Sequence, residues 1–153
     1  MAQQNCSSNR NPSTSLFQFE AGRDPKLGLS PVSRWLTCSY TYEDLTASAI
    51  NVQIPPKSIV LRVWHRVEIA FTGVTAMIVG DGDATDGWLA TGLIVPGTPG
   101  AVTDPTSAYH LLFGKWYEDG DTIDIAQTGI ATAGAGILFV ELISYHEAYD
   151  AEN

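Results

Sequence analysis

The sequence predicts an all-β chain: a single β-sandwich, jelly-roll-like in its number of strands, preceded by an extended N-terminal arm. Three observations carry that expectation. The 153 residues hold 44% hydrophobic and only 16% charged side chains, with 14 glycines and 8 prolines, a composition suited to many short strands joined by tight turns. The stretch from Ile59 to Phe71 alternates with period two, which sends successive side chains to opposite faces of a strand. Turn chemistry recurs between the apolar runs along the rest of the chain.

The arm spans residues 1–34. Gln, Asn and Ser dominate its start, and the breakers Gly22, Pro25, Gly28 and Pro31 punctuate its end. Its apolar cluster, Leu16, Phe17 and Phe19, is too small for a core but large enough to anchor a strap on another surface. Residues 35–153 form the sandwich domain. A domain of this size buries about 70% of the surface its unfolded chain exposes, so a real core is expected.

The strands are expected at Trp35–Tyr42, Ala47–Ile54, Ile59–Phe71, Thr75–Val79, Trp88–Ile94, Ala108–Phe113, Thr122–Gln127 and Ile137–Tyr145. In the third, Ile59, Leu61, Val63, Val67, Ile69 and Phe71 form an apolar row that only His65 interrupts, the pattern of one buried face. Breaks are expected at Ile54-Pro55-Pro56-Lys57, Phe71-Thr72-Gly73, Gly80-Asp81-Gly82-Asp83, Pro96 to Gly100, Glu118-Asp119-Gly120-Asp121 and Ala133-Gly134-Ala135-Gly136. The last strand is apolar on both sides. Leu138, Val140 and Leu142 line one face and Ile137, Phe139 and Ile143 the other, so the second face needs either a further layer or a subunit contact.

Seventeen acidic residues against eight basic ones give a formal charge of −9. Counterion release from a phosphate backbone cannot drive binding of such a chain, which excludes nucleic acid as its general partner. The first residues, Met1 to Asn9, hold neither a basic segment nor an apolar one, and no apolar run approaches the ~20 residues of a membrane span. The expected compartment is a cytoplasm, where Cys6 and Cys38 are free thiols. Two cysteines do not make a zinc site.

Three groups of residues could carry chemistry. Asp81, Asp83 and Asp86 sit in a Gly-rich stretch and could offer oxygens to calcium. They miss the EF-hand pattern, because Asp86 stands where the sharp turn needs glycine and Gly92 where a bidentate Glu is required. An Asp-Gly turn between strands is the competing reading. Glu118, Asp119 and Asp121 form a second acidic turn, with no specificity as a glycosidase pair. His65, His110 and His146 are scattered, with no nucleophile elbow or metal-binding His pair. No catalytic residue and no cofactor is expected, and the chain reads as a non-enzyme.

Aromatic residues offer a stronger argument for binding. Trp64 lies on the polar side of its strand and is expected at a contact surface, whereas Trp88 and Trp116 are expected to be covered by loops.

Several segments read together: Ile54-Pro55-Pro56-Lys57-Ser58-Ile59-Val60, Val67 to Gly73, Val79-Gly80-Asp81-Gly82 with Asp86-Gly87, Tyr117-Glu118-Asp119-Gly120-Asp121-Thr122-Ile123, and Ala133-Gly134-Ala135-Gly136 before Val140-Glu141. Over about residues 45–145 this resembles the small β-rich virion proteins of tailed bacteriophages. The resemblance implies a structural protein made in the host cytoplasm that decorates or cements the capsid surface. Its partner would be a major capsid protein of HK97-like fold, and it would act as a homo-oligomer with the arm laid across the shell. Leu16, Phe17, Phe19, Trp64, Ile137, Phe139 and Ile143 are then the expected contact residues. A tail or head–tail joining component remains open beside this reading, as does a carbohydrate-binding module that stacks sugars on Trp64, Trp88 or Trp116.

Overall fold

The computed structural model describes residues 29–47, 50–103, 112 and 114–147. The expected arm cluster Leu16, Phe17 and Phe19 lies outside them, as does most of the strand expected at Ala108–Phe113. The described chain is all-β: six strands form one antiparallel sheet. They are β1 (Leu29–Thr41), β2 (Ile50–Ile54), β3 (Ser58–Gly80), β4 (Val102–Thr103), β5 (Lys115–Tyr117) and β6 (Asp121–Glu147), with one short helix, α1 (Tyr42–Ala47), between β1 and β2.

Two long strands organise the sheet. β3 has 23 residues and β6 has 27, and they pair antiparallel along nearly their whole length, from Ser58↔Ser144 to Gly80↔Asp124. β1 lines the late half of β6, from Leu29↔Glu147 to Thr41↔Ala135, and β2 lines its early half, from Ile50↔Ile125 to Ile54↔Asp121. β5 and β4 flank the first half of β3. Residues 29–34, grouped with the arm on sequence, are thus the opening of β1. Pro31 is tolerated there because β1 ends the strand order, and an edge strand has one side on which no ladder N–H is required.

β3 does not run straight. At about 3.3 Å per residue its ends would lie roughly 70 Å apart, yet β5, which pairs with Ser58 to Val60, touches Asp81 just past the other end: the Tyr117 hydroxyl donates to Asp81 Oδ2 at 2.7 Å. The sheet therefore folds back on itself, and its two halves pack face to face. Val63, Val67, Leu138 and Val140 from one half share a core with Ile50, Val52, Met77, Val79, Ile123 and Ile125 from the other. The two layers expected of a sandwich are two halves of one sheet.

The bend is made by bulges. The β3–β6 register shifts repeatedly between Val67 and Ala76, and Ile130 to Thr132 fall between the partners of Thr72 and Val74. Gly73 and Gly129 carry φ of +83° and +100°, and a Cβ on either would lie 2.1–2.2 Å from a backbone oxygen of the opposite strand. Only glycine fits such an approach. The breaks expected at Thr72-Gly73 and Ala133 to Gly136 are therefore bends inside continuous strands, which joins four of the eight expected strands into two. Trp88–Ile94 forms no strand: it is a run of turns with a single bridge, Val79↔Leu89, although Trp88, Leu89 and Ile94 are buried, while the short β4 and β5 were not among the expected strands.

Bulges also correct the expected inward row of β3. A bulge slips the alternation by one residue and turns the next side chain to the other face. Register shifts at Val60/Arg62 and Val67/Ile69 leave Val63, His65, Val67 and Phe71 in the core, with Val60 replacing Ile59 and with Ile69 60% exposed. α1 was not foreseen. Its start has the capping pattern Thr41-x-x-Asp44, in which Asp44 Oδ2 accepts from the Thr41 N–H at 2.8 Å and from its hydroxyl at 3.0 Å.

Asp81 clasps the folded-back sheet. Its Oδ1 accepts from the N–H groups of Asp83 (3.0 Å) and Ala84 (2.9 Å), and its Oδ2 accepts from Lys115 Nζ (2.8 Å) and the Tyr117 hydroxyl (2.7 Å). Lys115 also reaches Asp83 at 2.7 Å. Burial acts to raise the Asp81 pKa, but these hydrogen bonds together outweigh it and hold the carboxyl below its usual range. His65, fully buried, shares a hydrogen bond between Nε2 and the Tyr40 hydroxyl, and its Nδ1 has no partner among the described residues. Desolvation lowers its pKa from 6.5 to about 4. Cys38 is buried and disulfide-bonded, not the free thiol expected. The only other cysteine, Cys6, lies outside the described residues.

Two predictions follow from these buried groups. Asp81→Ala leaves the Tyr117 hydroxyl unmatched and Lys115 held only by the exposed Asp83, and is expected to lower the unfolding free energy by about 2 kcal/mol or more. In urea titrations the Asp81→Ala/Lys115→Met double variant should lose at least about 1 kcal/mol less than the two single losses summed; strict additivity would show that the clasp carries no coupling. For His65 the folded pKa is depressed, so the unfolded chain takes up the proton first. Its contribution is intact above about pH 6.5 and falls as the pH drops toward 4. Asp81 adds its own loss only at lower pH, below its ordinary value of 3.8. Between pH 7 and 4.5 the wild type should lose about 2 kcal/mol more than His65→Gln, read from urea midpoints at both pH values.

Candidate functional site

The side of the sheet turned away from the core is built by the late half of β6 and its neighbours. Inward positions of β6 are Leu138, Val140 and Leu142; the outward ones are Ile137, Phe139, Glu141 and Ile143. Register fixes what stands beside each. Trp35, Glu141 and Arg62 form one row across β1, β6 and β3; Thr37, Phe139 and Trp64 form the next; Ser39, Ile137 and Arg66 the third. Ile143, Ile59 and Trp116 extend the face at one end, and Ile69 and Val102 at the other. Four of the expected contact residues, Trp64, Ile137, Phe139 and Ile143, therefore share one surface, and all four are half-buried.

Its centre is an aromatic cluster. Trp35 meets Trp64 edge to face with centroids 4.7 Å apart, and Trp64 stacks on Phe139 at 5.5 Å. Pairs of this kind contribute about 0.5–1.5 kcal/mol each beyond area burial. The Arg62 guanidinium lies 4.9 Å from the Trp64 ring centre and pairs with Glu141 at 3.1 Å. Arg66 pairs with Glu68; the two lower and raise each other's proton affinity in the ordinary ion-pair sense, through the hydrogen bond first. The charges on this face are thus matched within it. Trp35 stays 47% exposed and Trp116 42% exposed, an apolar surface that a solvated sheet face ordinarily lacks.

Sequence reasoning missed three members. Trp35 and Trp116 are outward, the latter in the open where loop cover was expected, with its indole N–H donated to Glu118 at 2.6 Å and its ring edge-on to Tyr145. Arg62 was not singled out. Alternation marked the strands, but cross-strand neighbours depend on register, and here register depends on bulges that have no signature beyond an occasional glycine.

The other candidates behave differently. Trp88 is completely buried, as expected, and Trp64 is packed between Phe139, Trp35 and Arg62, so neither presents the open ring face that sugar stacking needs. In the acidic turn, Asp81 spends all its acceptor sites on protein donors, Asp83 shares Lys115, and Asp86 is exposed. Among the described residues no group of three or more His, Cys, Asp or Glu side chains is placed to hold a metal ion.

No protein-family model matches the chain, and no curated protein does. Solved structures do. A chain in the capsid of Ralstonia phage GP4 aligns with a TM-score of 0.49 and 15% identity over 72% of this chain and 84% of that one. A chain in the capsid asymmetric unit of cyanophage Pam1 aligns with a TM-score of 0.50 and 23% identity over 88% of this chain and 99% of that one. The curled all-β fold described above is therefore one that a bacteriophage capsid component also adopts, along almost its whole length.

Proposed function

We propose that this chain is a non-enzymatic structural protein of a bacteriophage particle, one that decorates or cements the shell by binding its major capsid protein. The observation that carries the reading is the match of fold across 99% of a capsid-resident chain. The outward face adds to it: a sheet apolar on both sides has surface to bury in an assembly. Attachment in this reading uses the strap residues Leu16, Phe17 and Phe19, and a major capsid protein of HK97-like fold supplies the surface they cross. The mechanism is adhesion. Each copy adds weak contacts, and copies held together bind with a high effective concentration.

The test uses purified shells of the major capsid protein. The full chain is expected to co-sediment with them, and a Leu16→Ser/Phe17→Ser/Phe19→Ser variant, which keeps both cysteines and all of β1, is expected to bind at least about tenfold more weakly while keeping its far-ultraviolet circular dichroism. Quantitative mass spectrometry of purified particles should find copies in proportion to the major capsid protein. Failure of the folded chain to bind shells, or a handful of copies per particle, would remove the decorating role; the second result is the one expected of a tail or head–tail component.

A further inference from the structure

We infer that the outward face of β1, β6 and β3 is a contact between copies of this chain, with Trp35, Trp64 and Phe139 at its centre. The inference concerns association in solution and stands apart from whether the chain binds a shell.

Charge selects the occupant. Two copies, each with a formal charge of −9, repel one another unless they meet where charge is balanced locally. The outward face meets that condition. Arg62 and Arg66 are the cations at its centre, and each is matched within the same face, by Glu141 and Glu68. The acidic side chains Asp83, Asp86, Glu118 and Asp119 are carried instead on the turns that follow β3 and β5, and they are exposed. A partner recognised by charge would find no unmatched group among the central rows. An apolar, internally neutral surface is best covered by another of the same kind.

Area agrees. About ten residues along the strands and three strands across give roughly 33 by 14 Å, or about 470 Å² in projection, to which Trp116 of β5 and Val102 of β4 add at the edge. A standard interface removes about 800 Å² of accessible surface per partner, and a pleated face carrying Trp and Ile side chains exposes more than its projection. Aromatic residues ringed by paired arginines also match the composition of interface centres.

Thr37 provides the test, because it is exposed and stands directly across from Phe139. Sedimentation equilibrium of the wild type should give twice 16.5 kDa or a higher whole multiple of it. Raising salt from about 0.05 M to about 0.5 M should tighten association, since screening removes the repulsion between acidic copies. Thr37→Glu should weaken it at least about a hundredfold by burying an unmatched charge in the contact, with the urea midpoint of the separated monomer little changed; Thr37→Ser should associate like wild type. A wild type that stays at 16.5 kDa up to about 100 µM overturns the inference, that concentration lying well above the Kd of a stable contact. So does an oligomer that Thr37→Glu leaves intact, or one that salt dissociates.

Discussion

The return of β3 on itself is the constraint on which the rest of this molecule depends. A single sheet offers one face to a core only if something faces it, and no second sheet is present among the described strands. The opposing layer has to come from the same strands, continued beyond a bend. Gly73 and Gly129 make the bend sterically possible, and the shared apolar cluster makes it favourable. Asp81 then fixes the position at which it stops. Its carboxylate draws the end of β3 onto β5, and four donors satisfy a charge that would otherwise be costly to bury. The arrangement also brings Asp81 and Lys115, 34 residues apart in the chain, into one ion pair.

What was legible in the sequence follows from the range of each signal. Alternation is local, so the inward character of Val63, Val67, Leu138, Val140 and Leu142 could be read directly, and so could the apolar second face of β6. Glycine signals are local too, but their meaning is not. Gly73 and Gly129 have the dihedral freedom of turn residues, and only the partner strand decides whether a glycine ends a strand or bends it. The slips at Val60/Arg62 and Val67/Ile69 are of the same kind: nothing in the run from Ile59 to Phe71 distinguishes an unbroken alternation from one interrupted twice. The cap at Thr41-x-x-Asp44 is a local signal too, but the alternation of β1 runs straight into it and masks the start of α1.

The outward face shows how the same pairing rule serves two purposes. Cross-strand neighbours stabilise a sheet whether or not anything covers them, and Trp35, Trp64 and Phe139 do so for three adjacent strands. Arg62 extends the cluster by lying over Trp64 while it holds Glu141. Exposed ion pairs of this sort add little to stability on their own. Their effect here is on the surface: they remove net charge from the middle of an apolar face without removing the polar groups that keep the free chain soluble.

That balance bears on how such a face can function in an assembly. A face with unmatched charge would be steered toward an oppositely charged partner and held off from its own kind, and a face with no charge at all would associate without direction. Two matched pairs beside an aromatic centre lie between these limits. Each pair has a fixed place in the rows, so in the contact inferred above any register of a second copy that set like charges opposite each other would be penalised. In that contact the aromatic rings would supply the attraction and the placement of the ion pairs would disfavour mismatched orientations, so that an all-β chain acidic overall would keep apolar surface for a contact without leaving its orientation free.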